Sequence, residues 1–162
     1  MNSMNCIADN KHSSRDEEYM KVAIELAALA AEQDEVPVGA IVVHKGTTIV
    51  GKGYNSRETQ KNALCHAEVI AINEACKTLG GWRLPECELY VTLEPCPMCA
   101  GAVVNSRIDR VVYGAKDLRA GAFGTLISLN DLPLNHKPEI VGGVLGDECA
   151  GILKQYFKKK RK

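Results

Sequence analysis

The chain has 162 residues, 46% of them apolar and 25% charged, which suits one globular domain with a core of its own. No apolar run approaches the ~18–20 residues needed to span a bilayer, and the N-terminal residues lack the apolar centre of a secretion signal. Seven cysteines, an odd number, suit reduced thiols in a cytoplasm better than a disulfide framework, and the formal net charge is zero.

Residues 1–13 are polar and are expected to be disordered, leaving residues 14–162 as a single domain. Ser14 and Glu17 have capping-box spacing, so a helix is expected to begin there. Met20, Val22, Ala23, Ile24, Leu26, Ala27 and Ala30 would give it a broad apolar face for packing on a sheet. Asp34-Glu35 ends it. Residues 36–43 read as a buried strand, Lys45-Gly46 as a hairpin turn and residues 48–53 as the return strand. Asn55 sits in the loop that follows, where the pattern alone makes it a turn residue. A helix is predicted over residues 67–79, stopped by Gly80-Gly81. A strand over 89–93 then leads into a short helix over 98–105. Residues 110–115 form another strand, and 116–135 a long loop able to serve as a lid or substrate wall. A last strand over 140–144 precedes a C-terminal helix over 147–160.

Strands alternating with helices after an initial hairpin predict an α/β layered domain with a mixed sheet. The right-handed crossover rule places the helices over 67–79 and 98–105 on one face of it. Charge is uneven. From Gly146 onward six cations stand against two acids, so a basic terminal helix follows an acidic body. Such an end is either a handle for a polyanion such as RNA or a solvated helix terminus whose cations suit the macrodipole.

The chemistry concentrates in His66-Ala67-Glu68 and Pro95-Cys96-Pro97-Met98-Cys99. One imidazole and two thiols are ligands that zinc prefers, and three protein ligands leave a fourth tetrahedral position for water, as in catalytic sites. A Cys-x-x-Cys pair alone serves equally as a structural zinc knuckle or redox pair, and Cys65 or Cys87 offers a fourth ligand. The H-x-E and P-C-x-x-C segments together match the signature of zinc nucleobase deaminases, which favours catalysis. Glu68 is then the expected proton shuttle between water and substrate, not a ligand. Glu94, beside the cysteine motif, has no chemical role in this reading and is taken as structural. Cytosine, adenine and guanine all present an amino-bearing carbon, so the motif does not choose the base.

Further stretches extend the match: residues 35–40, the run 89–102 (LYVTLEPCPMCAGA), Ser106-Arg107-Ile108, residues 113–117, Asn135-His136 and Asp147-Glu148-Cys149. In this order they resemble the bacterial tRNA-specific adenosine deaminases, over nearly all of the chain from the first helix onward. The resemblance implies a three-layer α-β-α, cytidine-deaminase-like fold around a mixed five-stranded sheet, one zinc ion per subunit and a homodimer. It implies conversion of the wobble adenosine of a tRNA anticodon loop, in an arginine tRNA, to inosine. The alternative is a free-base or nucleoside deaminase using the same zinc centre. By position, His66, Cys96 and Cys99 match the zinc ligands, Glu68 the catalytic acid–base and Asn55 a base-contacting asparagine. Asp117, Asn135, His136, Tyr156 and Phe157 align with stretches that contact the anticodon stem-loop. Where the family often has Asp-Pro-Thr-Ala before the H-x-E, this chain has Asn62-Ala63-Leu64-Cys65, which bears on sequence context and leaves the ligands untouched.

Overall fold

The computed structural model describes residues 13–161; of residues 1–13, expected to be disordered, 1–12 lie outside the described residues and Ser13 is ordered as a helix cap. Helix α1 spans Ser14–Glu32, and its N-cap is Ser13, whose hydroxyl accepts from the Asp16 amide at 3.1 Å. The expected cap at Ser14 is therefore one residue late. The hairpin β1 (Gly39–His44) and β2 (Thr48–Tyr54) follows. β1 starts three residues later than expected, because the chain turns at 36–38, where the Val38 amide donates to the Val36 carbonyl.

A one-turn helix α2 (Arg57–Gln60), which the sequence pattern did not suggest, lies between the hairpin and helix α3 (Ala67–Leu79). α3 ends at Gly80, whose φ of 76° supplies the left-handed cap. Strand β3 (Cys87–Leu93), helix α4 (Pro97–Ser106) and strand β4 (Arg110–Ala115) form a parallel crossover unit. After the long loop, which holds a short 3₁₀ turn at Leu129–Asp131, come strand β5 (Glu139–Val141) and helix α5 (Gly146–Lys160). β5 is shorter than expected, since Gly143 turns the chain at φ 86° and Val144 packs into the core instead.

The five strands form one sheet in the order β2-β1-β3-β4-β5, antiparallel on the hairpin side and parallel from β3 to β5. Side chains alternate across it with the period of two that a strand imposes. Ile41, Val43, Tyr90 and Val112 bury against Met20 and Ala23 of α1 and Cys149 of α5. Val42, Leu89, Val91 and Val111 face the other way, against Ala67 and Ala71 of α3 and Ala100 and Val103 of α4. The result is the expected three-layer fold, with α3 and α4 on one face. Gly51 and Gly53 on β2 let α3 sit unusually close: a Cβ at either would strike the backbone at Ala71 or Ala67. This approach fixes the helix whose N-cap is His66 and whose first turn carries Glu68.

Candidate metal centre and active site

Both motifs lie at helix starts. His66 is the N-cap of α3 and Cys96 the N-cap of α4, each with extended backbone, and neither side chain makes a capping hydrogen bond. Their donor atoms are thus left for another partner. Cys96 lies one residue outside the helix, not within its first turn as expected, and Cys99 falls within that turn. Pro97 takes the first helical position, where its missing N–H is no loss.

His66 Nδ1 lies 3.6 Å from Cys96 Sγ and 3.5 Å from Cys99 Sγ. A tetrahedral zinc ion with Zn–S near ~2.3 Å and Zn–N near ~2.0–2.1 Å separates nitrogen and sulfur by about 3.5–3.6 Å. These two edges therefore fit zinc without rearrangement, and all three donor atoms lie within 4.8 Å of one another. The hydrogen bond from Cys99, followed by that from His66, draws the Cys96 thiol down to about 4, while the same bond to Cys96 pushes the Cys99 thiol up. Among the described residues no fourth His, Cys, Asp or Glu joins the cluster. Cys87 is buried at the start of β3, and Cys65 lines a groove with Leu26, Lys52, Ile70 and Glu74. The donor set is that of an open site, and the four-ligand alternative loses its candidates.

The centre opens into a cavity of about 130 Å³. Its lining combines the apolar Val36, Val38, Ala67 and Leu93, the polar Asn55 and Arg57, the acids Glu68, Glu94 and Asp117, and the donors His66 and Cys96. Glu68 is 4% exposed, and burial pushes its carboxyl above the usual carboxylate range. Asn55 Nδ2 donates to the Val36 carbonyl at 3.2 Å, and its Oδ1 is buried without a partner. A buried amide oxygen left unpaired is costly unless a ligand meets it. Asn55 therefore has an acceptor to offer to an N–H of a bound molecule.

Two buried carboxylates, Glu94 and Glu35, hold the loops that border the cavity. Glu94 accepts from the amides of Asp117 (3.3 Å), Phe123 (3.1 Å) and Thr125 (3.2 Å) and from the Thr125 hydroxyl. It thereby pins the start of the long loop against the site. Asp117 Oδ1 in turn accepts from the Arg119 and Ala120 amides, so this side chain shapes the same turn. Glu35 accepts from the amides of Glu58 (3.0 Å) and Thr59 (2.7 Å) and from the Thr59 hydroxyl, and so holds α2. Sequence reading missed Glu35, because an acid at the end of a helical stretch looks like a terminator.

Of the remaining candidates, the structure brings Asn55 and Asp117 to the cavity and leaves four outside it. Asn135 is exposed, and the His136 Nε2–H donates to the Ile108 carbonyl at 2.6 Å, just past the end of α4 opposite Cys96. Tyr156 and Phe157 pair edge-to-face on α5, with ring centroids 5.3 Å apart. Tyr156 donates to the Asp34 carbonyl and Lys160 pairs with the Asp34 carboxylate, two residues before Val36 of the cavity lining.

Comparison with known proteins agrees with this geometry. Residues 13–115 match the family model of the cytidine and deoxycytidylate deaminase zinc-binding region. A tRNA-specific adenosine deaminase of Bacillus subtilis is 51% identical over 150 residues, covering 92% of each chain. One from Haemophilus influenzae is 43% identical over 150 residues, covering 92% of this chain and 87% of its own. A solved structure from work on A-to-I editing by tRNA:A34 deaminases at the wobble position of transfer RNA superposes with a TM-score of 0.81 at 39% identity. The match covers 84% of this chain and 99% of that one. A guanine deaminase of Bacillus subtilis superposes less closely, with a TM-score of 0.59 at 31% identity over 74% of this chain and 86% of its own.

Proposed function

The chain belongs to the cytidine and deoxycytidylate deaminase zinc-binding family, and from that premise we propose that it converts adenosine to inosine at the wobble position of tRNA. The observation that carries this is a three-donor zinc site opening into a cavity that also holds a buried carboxylate and an unpaired amide oxygen.

His66, Cys96 and Cys99 would hold the zinc. Bound there, zinc supplies a Lewis acid that brings the pKa of water to near ~7. Glu68 takes a proton from the attacking water as its oxygen adds to the amino-bearing carbon of the base. Glu68 delivers that proton to the neighbouring ring nitrogen, then takes the second proton from the added hydroxyl and passes it to the amine, which leaves as the carbonyl forms. Water and adenosine thus become inosine and ammonia. Asn55 Oδ1 accepts an N–H of the base and holds it in plane, while Val36, Val38 and Leu93 exclude bulk water from the ring.

In this reading residues 14–162 act as one deaminase domain, and the chain works in the cytoplasm, where its substrate is. Among the described residues no helix is long and apolar enough to cross a membrane. An arginine tRNA is the expected substrate. The loop of Asp117, the Asn135-His136 pair and the Tyr156-Phe157 helix with its basic end contact the stem-loop, as single-stranded loops are held by aromatics and cations. Removing residues 158–162 is expected to raise KM for a stem-loop substrate with kcat retained; indifference to the truncation would remove α5 from the RNA surface. The reading also pairs two copies. Leu64, Leu118, Leu126 and Ile127, in the loops flanking the cavity, are exposed, and a second copy would cover such apolar side chains. Light scattering should return the mass of a dimer, and a monomer at micromolar concentration would contradict it. The function itself is tested by incubating zinc-loaded protein with an anticodon stem-loop bearing adenosine at the wobble position and reading the product by mass.

A further inference from the structure

One pocket residue plays no part in the chemistry above. Arg57 is exposed and lines the cavity together with Asn55, and among the described residues it is the only lysine or arginine that does so. Among the described residues it makes no ion pair. The nearby acids are held by other donors: Glu94 and Asp117 by the long loop, and Glu35, which feels the Arg57 charge without pairing with it, by three donors of α2. Resting on the tRNA reading, we propose that Arg57 binds a backbone phosphate flanking the adenosine that enters the pocket.

The position of Arg57 supports this as much as its charge. A one-turn helix has almost no stability of its own. α2 persists because the buried Glu35 takes the Glu58 and Thr59 amides, while the Asn62 amide closes back on the Arg57 carbonyl at 3.0 Å. The backbone under Arg57 is thus fixed relative to the wall that holds Asn55, since Glu35 and the carbonyl that orients Asn55 belong to adjacent residues. A free guanidinium on a fixed backbone, at the mouth of a base-sized cavity, matches a substrate with an uncharged ring inside and an anion outside. A nucleotide within RNA has that shape, with phosphates on both sides of the ribose. A free base offers nothing for Arg57 to meet. The planar fork of arginine suits two phosphate oxygens at once, a geometry that lysine lacks.

The test is steady-state kinetics of the zinc-loaded full chain on an adenosine-bearing stem-loop, over a series of salt concentrations, for wild type, Arg57→Gln and Arg57→Lys. Arg57→Gln is expected to raise KM by about tenfold with kcat nearly unchanged, as loss of one charge-assisted contact should. The slope of log kcat/KM against log salt should fall by about 0.7–0.9, the value of one phosphate contact. Arg57→Lys should restore most of the salt slope while KM stays above wild type. Zinc content and thermal midpoint should be the same in all three, because the side chain is exposed. An active wild type with Arg57→Gln unchanged in KM and salt slope would overturn this assignment alone, as would a loss confined to kcat. A wild type that leaves the stem-loop unconverted would overturn the tRNA reading and this inference with it.

Discussion

Replacing Glu68 with glutamine is expected to leave zinc bound at one ion per chain and to cut turnover by about 10²–10⁴-fold, the usual contribution of a general acid–base. Glu68 is 4% exposed, at the second position of α3 and inside the cavity, but outside the cluster of three donors. Glutamine keeps its volume and much of its hydrogen bonding, so the packing that Gly51 and Gly53 allow between α3 and β2 is undisturbed. What it loses is the ability to accept a proton. Glu68→Ala should be inactive too while retaining the ion, since none of the three donors is touched. Metal analysis and single-turnover deamination read the two quantities separately. Activity near wild type in the glutamine variant would refute the proton-shuttle role; loss of zinc would mean that Glu68 serves the metal site instead.

The second large effect is on stability and shape. Glu94→Ala removes one buried carboxylate and leaves the Asp117, Phe123 and Thr125 amides without their acceptor. Phe123 is 4% exposed, so its amide has no water to turn to. An unmet buried donor costs ~1–3 kcal/mol, so a loss of about 3 kcal/mol or more is expected. For a chain of this size that lowers the thermal midpoint by about 6–12 °C. Amide exchange should quicken first at residues 117–125, and turnover should fall because Asp117 leaves the cavity wall. A midpoint within a degree or two of wild type (about 0.5 kcal/mol), with exchange unchanged, would show that the loop is held by other contacts. Glu94→Gln is expected to fall between the two, as its single amide oxygen can still accept part of the set.

These two glutamates also mark how far the sequence could be read. Glu68 stands out in the sequence because its spacing from His66 and from the cysteine pair matches a chemical signature, and the structure buries it in the cavity. The ends of α3 and the whole of β4 were equally legible, since Gly80 and the strand-favouring Val111, Val112 and Tyr113 act locally. Glu94 and Glu35 were not, because their partners lie 23 to 31 residues away and are mostly backbone amides, which carry no residue-type signal. The same holds for α2, which exists through Glu35 and not through its own propensity. Asn55 looked like a turn residue by pattern. Only the structure shows its amide nitrogen tied to Val36 and its oxygen left unpaired at the cavity wall.

The central claim is that this zinc centre takes its adenosine from RNA. The most direct measurement gives the zinc-loaded protein an anticodon stem-loop with adenosine at the wobble position, alongside guanine, cytidine and free adenosine, with every product read by mass. Inosine is expected in the stem-loop at that position, with the three small substrates unchanged. Turnover of guanine or a free nucleoside, with the stem-loop left intact, would contradict it.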